Sequence, residues 1–239
     1  SNFSAGRTCA RLVGEALPRG GKVAVLLINQ TQENLIERKS GFAERIEQMS
    51  DDTLPDGTVV SKDDGPRPGT TKEKLSELKP VFRPDGQVTA GNACPLNDGA
   101  AALVIMSDTK AAELGITPLA RIVATGVSGL NPEIMGLGPI EAVKQALGRA
   151  NMTIDDIDLV EINEAFAAQV IPSADELGID FDKLNVNGGA IALGHPFGMT
   201  GARITATLLN GLEDADKTFG LETMCVGGGQ GMAMIIERL

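Results

Sequence analysis

Short apolar runs alternate with segments of helical periodicity along the chain after residue 98. The apolar runs predict strands, and GAAALVIMS should be fully buried; the others are LARIVATGVSG, IDLVEI, GLETMCV and GMAMIIE. Helices are predicted over SDTKAAELG with Gly115 as its stop, over GPIEAVKQALGRA, from NEAFAAQ onward and from about Thr200. This alternation predicts an α/β fold in which helices cover a mixed sheet.

The first 90 residues follow a different pattern. A capped helix to about Leu17, the strand KVAVLLI and the helix ENLIERKSGFAERIEQM predict a short α/β segment over residues 1–48. Residues 49–90 are rich in turn-forming residues and predict a linker, in which Thr70 and Glu73 form a capping-box pattern for a short helix before Pro80. Residues 91–239 then form the main α/β region.

Composition excludes several classes of function. The 239-residue chain has a net charge of −11, seven Phe and neither Trp nor Tyr, which argues against nucleic-acid binding and against an aromatic membrane belt. Its apolar runs are too short to span a bilayer. Three widely spaced cysteines argue against a metal site and a disulfide framework, so we expect a cytoplasmic protein without a metal.

Three polar residues stand where predicted elements end or begin. Asn163 follows IDLVEI, His195 lies in the glycine-rich loop GGAIALGHPFGMTG, and Cys225 precedes three consecutive glycines. Functional groups of α/β folds gather at such positions, and backbone N–H groups beside glycines can hold an oxyanion. Each residue also has an ordinary explanation: a surface or core histidine, a buried apolar cysteine, or a helix cap at Asn163.

Several stretches together resemble the thiolase family, in the family's order and spacing. They are GNACPLNDGAAALVIMS, PEIMGLGP, DIDLVEINEAFAAQ, NVNGGAIALGHPFGMTGARI and CVGGGQGMAMIIERL, and the resemblance runs from about Leu54 to Leu239. It implies the C-terminal half of the thiolase fold, a mixed sheet with helices on both faces. It also implies an acyltransferase of fatty acid metabolism that makes or breaks a carbon–carbon bond in 3-ketoacyl-CoA by Claisen chemistry.

The resemblance also implies the site. His195 would activate a nucleophilic cysteine and, with a water held by Asn163, stabilise the thioester oxyanion. Cys225 would exchange a proton with the acetyl-CoA carbanion, and the Gly227 N–H would belong to a second oxyanion hole. Four residues would contact the substrate, namely Cys94, Met135, Phe166 and Phe197. Acyl-CoA and CoA are then substrates, no separate cofactor is needed, and we expect a homo-oligomer or association with a thiolase N-terminal half.

The family's nucleophilic cysteine has no clear counterpart. Its small-residue motif does not occur, and Cys9, in GRTCARLVG, lacks the following glycine. Residues 1–46 resemble a fragment of a periplasmic sugar-binding protein, with a divergent thiolase loop region as the alternative. Three functions therefore stay open: a thiolase-type acyltransferase, a non-catalytic acyl-CoA-binding remnant or chimera, and a sugar-binding module.

Overall fold

The computed structural model describes residues 22–24, 67–96 and 99–239. The chain divides into two compact units, one formed by Ser1–Pro66 with Asn97–Pro118 and the other by Arg67–Leu96 with Leu119–Leu239. Several predictions fall outside the described residues. They concern the two helices on either side of KVAVLLI, the residue Cys9, and the proposed boundary near residue 48.

In the first unit, β1 (Lys22–Ala24) pairs in parallel with β2 (Gly99–Ala101). Helix α2 (Asp108–Leu114) has Ser107 as its N-cap and ends at Gly115, which is left-handed with φ 63°, as predicted. The prediction of a long, fully buried strand over GAAALVIMS is wrong. Pairing covers only its first three residues, and Val104 and Ile105 are 57% and 72% exposed, because no described strand pairs with that part of the run.

The second unit is built on a four-stranded sheet in the order β3-β6-β5-β4. The strands are β3 (Ala120–Gly129), β4 (Leu159–Ile162), β5 (Phe219–Val226) and β6 (Gln230–Arg238). β4 and β5 are parallel, whereas β6 runs antiparallel to both β3 and β5. The sheet is therefore mixed, and every residue of β4 is buried, as expected for a strand covered on both faces.

One face of the sheet is covered by α3 (Gly138–Ala150) and α4 (Ala167–Leu177). The buried positions of α3 recur one turn apart and form one apolar side of the helix. With α4 and the sheet they make the main core, which includes Ala142, Val143, Ala146, Val170, Ala174, Val160, Ile162, Leu221 and Ile235.

The opposite face is covered by α6 (Thr200–Asp214). Leu208 and Leu212 pack there against Leu159 and Ile236 in a second, smaller core. Helices on both faces of a mixed sheet agree with the predicted fold class.

Glycines let α3 lie directly on the sheet. A Cβ at Gly126 of β3 would collide with the Ala142 carbonyl, and one at Gly231 of β6 would collide with the Gly138 backbone. Only glycine allows backbones to approach this closely, which explains glycine at interior strand positions where it would otherwise weaken the strand.

The second unit also contains short helices outside these layers. Helix α1 (Lys72–Ser76) forms where the capping pattern predicted a helix, but its cap is Thr71, whose side chain accepts from the Lys74 N–H. Helix α5 (Ala190–Leu193) precedes the histidine loop, and a 3-10 segment (Pro132–Leu137) precedes α3.

Candidate active site

Asn163 and Cys225 lie at the same edge of the sheet. β4 and β5 are parallel and in register, with Ile162 opposite Thr223, so their carboxyl ends coincide. Asn163 is the first residue beyond β4, where its N–H donates to the Thr223 carbonyl at 3.0 Å, and Cys225 is the penultimate residue of β5. Carboxyl ends of adjacent parallel strands are where α/β folds place ligands.

Asn163 is not a helix cap. Helix α4 begins at Ala167 with Phe166 in the cap position, so the alternative explanation for Asn163 fails. Its side chain is fully buried, and neither the amide nitrogen nor the oxygen has a hydrogen-bond partner among the described residues. A buried amide of this kind calls for an ordered water or a ligand atom.

His195 is held by the helix that follows it. Its Nδ1 lies 2.6 Å from the Thr200 hydroxyl, and that hydroxyl also lies 3.0 Å from the Pro196 carbonyl. Since a carbonyl can only accept, the hydroxyl proton goes to Pro196 and the Thr200 oxygen accepts from Nδ1–H. In the neutral ring the lone pair is then on Nε2.

The electrostatic surroundings keep His195 uncharged at neutral pH. Burial lowers the pKa of its imidazole below the ordinary value, and the positive charge of Arg203 lowers it further. A neutral histidine of this tautomer can accept a proton at Nε2 and return it as a hydrogen-bond donor, which suits a general base. Phe197 stacks edge-on against the ring, with centroids 4.9 Å apart.

Cys225 is a buried thiol beside an exposed glycine turn. Only 6% of the residue is exposed, whereas Gly227 and Gly228 of the turn are exposed. Burial raises the pKa of the Cys225 thiol, and the nearby Cys94 raises it further. At neutral pH Cys225 is therefore a thiol, since its pKa lies above the ordinary value.

Cys94 reaches this edge through a short backbone contact. Its N–H donates to the Ala165 carbonyl at 3.0 Å, and Ala93 forms a bridge with Phe166. The half-buried Cys94 thiol also has a raised pKa, because burial disfavours the thiolate. Residues 92–94 thus lie against the end of the segment between β4 and α4.

The other predicted contact residues differ in exposure. Phe166 is half-buried with Phe82 edge-on at 6.0 Å, Met135 is half-buried in the 3-10 segment, and Phe197 is 78% exposed. An exposed aromatic ring beside His195 is available to a ligand, whereas Met135 and Phe166 contribute partly covered apolar surface.

A cluster of buried charged residues escaped the sequence analysis. Glu161, in the middle of β4, and Glu222, its partner in β5, are 3% and 9% exposed, and Arg203 of α6 interacts electrostatically with both. A glutamate inside the apolar run IDLVEI was the available signal, since a charge inside a fully buried strand needs a partner. Thr200 was missed because nothing in its spacing marks it as the partner of His195.

Comparison with models of protein families shows to which family this chain belongs. The model of the thiolase C-terminal domain matches residues 116–238, and that of the thiolase N-terminal domain matches residues 22–109. The chain belongs to the thiolase family. The thiolase match therefore begins well before Leu54, where the sequence resemblance was placed, and residues 22–46 fall within it, so the resemblance to sugar-binding proteins has no support.

Individual thiolases agree closely with this chain. An acetyl-CoA acetyltransferase of Escherichia coli (strain K12) is 55% identical over 181 residues, which are 76% of this chain and 46% of that protein. One from Thiocystis violacea is 48% identical over 228 residues, or 94% of this chain and 57% of that protein. This thiolase chain spans about half the length of these curated relatives.

Solved thiolase structures share the fold. The acetyl-CoA acetyltransferase of Bacillus anthracis superposes with a TM-score of 0.73 at 53% identity, over 76% of this chain and 46% of that one. Human mitochondrial 3-ketoacyl-CoA thiolase in complex with CoA superposes with a TM-score of 0.70 at 46% identity, over 77% and 46%. In the part of the chain that the structure describes, no helix is long and apolar enough to cross a membrane.

Proposed function

We propose that this chain carries the half of a thiolase active site that stabilises the thioester oxyanion and exchanges the α-proton of the acyl group. The reaction is the making or thiolytic breaking of the carbon–carbon bond in 3-ketoacyl-CoA. The observation that carries the proposal is the meeting of the unpartnered Asn163 amide and the buried Cys225 thiol at one sheet edge, in a chain of the thiolase family.

His195 acts as the base for the acyl-transfer step. Its Nε2 accepts the proton of a nucleophilic cysteine, which then attacks the thioester carbonyl as a thiolate. The resulting imidazolium donates from Nε2 to the oxyanion of the tetrahedral intermediate, while Thr200 keeps the ring oriented through Nδ1. A water on the buried Asn163 amide supplies a second donor to the same oxyanion.

Cys225 acts on the α-carbon of the acetyl group. In thiolysis its thiol donates a proton to the leaving acetyl carbanion, which agrees with a thiol that is un-ionised at neutral pH. In condensation its thiolate removes the same proton, and the developing enolate oxygen is stabilised by the Gly227 N–H. Because the pKa of Cys225 is raised, the deprotonating direction should accelerate as the pH rises above neutrality.

Acyl-CoA and CoA are the proposed substrates. The structurally similar human thiolase forms a complex with CoA. On this chain, the exposed Phe197 beside His195, together with Phe166, Met135 and Cys94, offers apolar surface along the path to the sheet edge. The small side chains around His195 leave room for the thin pantetheine arm.

The nucleophile is the part of the site that we assign to none of the three cysteines. None of them stands in the small-residue motif that the family's nucleophile carries. Full thiolysis then requires a nucleophilic cysteine in addition to the three in these 239 residues, whereas proton exchange does not. The exposed Val104 and Ile105 favour an apolar contact with another segment or chain.

Deuterium exchange into the acetyl group of acetyl-CoA tests this assignment. The chain is incubated with acetyl-CoA in deuterated buffer, and isotope incorporation is followed by mass spectrometry. We expect slow exchange that increases with pH, that is lost in Cys225→Ala and that is retained in the control Cys9→Ala.

Exchange that survives Cys225→Ala would refute the role of Cys225. Binding of acetyl-CoA without any exchange would instead favour the non-catalytic acyl-CoA-binding alternative. Calorimetric titration with CoA reports binding whether or not exchange occurs, so it separates a chain that binds without exchange from a chain that does not bind.

A further inference from the structure

Two carboxyl groups face each other beneath the active-site edge. Glu161 of β4 and Glu222 of β5 are directly paired in the parallel ladder, so their side chains emerge on the same face of the sheet, the face covered by α6. The Thr205 hydroxyl of α6 lies 2.7 Å from a Glu222 carboxyl oxygen and 2.8 Å from the Gly201 carbonyl. Two adjacent buried carboxylates repel each other, so the pair needs a cation or a retained proton.

Arg203 supplies the cation. Its guanidinium Nη1 lies 3.8 Å from a Glu161 carboxyl oxygen, and its side chain is 13% exposed. None of its three side-chain nitrogens makes a direct hydrogen bond among the described residues, although all three are buried. Among the described residues the guanidinium is therefore held by charge rather than by a bidentate pair.

The same arginine is tied to the histidine loop. Arg203 lies one turn after Thr200, the residue that accepts from His195 Nδ1, and its N–H donates to the Met199 carbonyl. The first turn of α6 rests on the end of β5, where a Cβ at Gly201 would stand 4.0 Å from the Met224 sulfur. Arg203 and Thr200, the residue that orients His195, therefore lie in the same first turn of α6.

The other side of the loop is fixed by a third carboxylate that also acts on Arg203. Glu164 accepts from the Ile191 N–H at 3.0 Å, in the first turn of α5, and from the Asn185 amide at 2.9 Å. It interacts electrostatically with both Arg203 and Glu161. The loop that carries His195 therefore has its preceding helix anchored by Glu164 and its following helix anchored through Arg203.

We propose that Arg203, held among Glu161, Glu164 and Glu222, is a positioning residue that fixes the first turn of α6, and with it Thr200, so that the His195 ring is oriented for proton transfer. The inference rests on the proposed role of His195 as the base. The groups that face Arg203 are these three carboxyl groups, from β4, the segment after it and β5, together with His195 itself.

The electrostatic directions agree with this role. Arg203 lowers the pKa of His195, and burial lowers it in the same direction. Burial raises the pKa of Glu161 to about 8 and that of Glu222 to about 7, so the carboxyl pair retains a proton near neutral pH. The positive charge of Arg203 disfavours a second positive charge on His195.

The single histidine of the chain makes the test direct. One-dimensional NMR shows one imidazole Hε1 resonance, and its shift against pH gives the His195 midpoint without assignment. Arg203→Gln should raise that midpoint by on the order of half a pH unit or more, because a nearby positive charge is lost. Arg203→Lys should keep it near the wild-type value, and the exposed control Arg149→Gln should leave it unchanged.

Equal shifts in Arg203→Gln and Arg149→Gln, or a lowered midpoint in Arg203→Gln, would overturn the proposal. If Arg203→Gln does not fold, Glu164→Gln provides the test: it removes a carboxylate that opposes Arg203, so the midpoint should fall, and a rise would contradict the proposal. The titration requires no turnover, so it is independent of the exchange assay. If the His195 midpoint does not rise in Arg203→Gln but deuterium exchange still depends on Cys225, only the role of Arg203 is rejected. If the midpoint rises but no Cys225-dependent exchange is seen, only the proposed function is rejected.

Discussion

Replacing Glu161 by glutamine should flatten the dependence of the free energy of unfolding on pH. The folded chain holds the pKa of Glu161 at about 8, against an ordinary value of 4.5, chiefly because burial disfavours the carboxylate. Between these values the unfolded chain has released the proton while the folded chain retains it. Raising the pH therefore favours the unfolded chain, and stability falls by up to about 1.4 kcal/mol per pH unit.

Across the window from about pH 5 to pH 7, Glu161 alone should account for a loss of roughly 3 kcal/mol. Glu222 adds a loss of the same sign up to its pKa of about 7, since burial raises that pKa as well. His195 acts in the opposite direction, because its lowered pKa makes acid favour the unfolded chain below about pH 6.5. The contribution of Glu161 is the difference between wild type and Glu161→Gln in the slope of the unfolding free energy against pH.

Urea unfolding followed by far-UV circular dichroism at several pH values measures these slopes. The matched control is Glu213→Gln, an exposed glutamate of α6, which should keep the wild-type slope. If Glu161→Gln and wild type lose stability equally between about pH 5 and pH 7, the reasoning is refuted, because Glu161 would then be ionised in the folded chain as it is in the unfolded one.

Backbone contacts and thiol burial give three further tests. Gly231→Ala should destabilise the chain by about 1–3 kcal/mol, since the new methyl group would collide with the Gly138 backbone; wild-type stability in urea unfolding would contradict the close approach. Gly148→Ala, in α3 with open space around it, should instead stabilise by about 0.5–1 kcal/mol in the same assay, and a loss would show that the space is filled. Iodoacetamide should modify the half-buried Cys94 faster than the buried Cys225, as read by peptide mass spectrometry, and the reverse order would be incompatible with the described burial.

Regular elements of the second unit were predictable because their hydrophobic patterns are long and unambiguous. The strand LARIVATGVSG and the helix GPIEAVKQALGRA appear as β3 and α3, with Asn151 in the left-handed conformation closing the helix. The order of the strands in the sheet does not follow from such patterns, because it depends on which strands pair across distant parts of the chain.

Burial was predicted less well where it depends on a covering partner. GAAALVIMS has the composition of a buried strand, yet only its first three residues pair, and Val104 and Ile105 are exposed. Composition indicates how favourable the burial of a segment would be, but it does not show which other part of the protein covers that segment. Similarly, the capping pattern indicated a helix after Thr70, while the cap is Thr71, one residue later, which lies within the usual uncertainty of helix ends.

In the candidate site, too, some residues are marked by local sequence patterns and others only by contacts between distant parts of the chain. Asn163, His195 and Cys225 were predicted because motifs mark them, whereas no local pattern encodes the contacts of Thr200 and Arg203. The cluster around Arg203 forms because the sheet pairs Glu161 with a second glutamate and α6 covers both. Buried charges brought together in this way belong to tertiary structure.

Thiolysis of acetoacetyl-CoA is the measurement that tests the central claim most directly, followed through the loss of the absorbance of its magnesium enolate. The chain alone should show negligible turnover, and turnover should appear when the N-terminal half of a relative, such as the Escherichia coli acetyltransferase, is added. That turnover should be lost in His195→Ala. Efficient thiolysis by the chain alone, with the acyl group trapped on Cys9 or Cys94, would contradict the account.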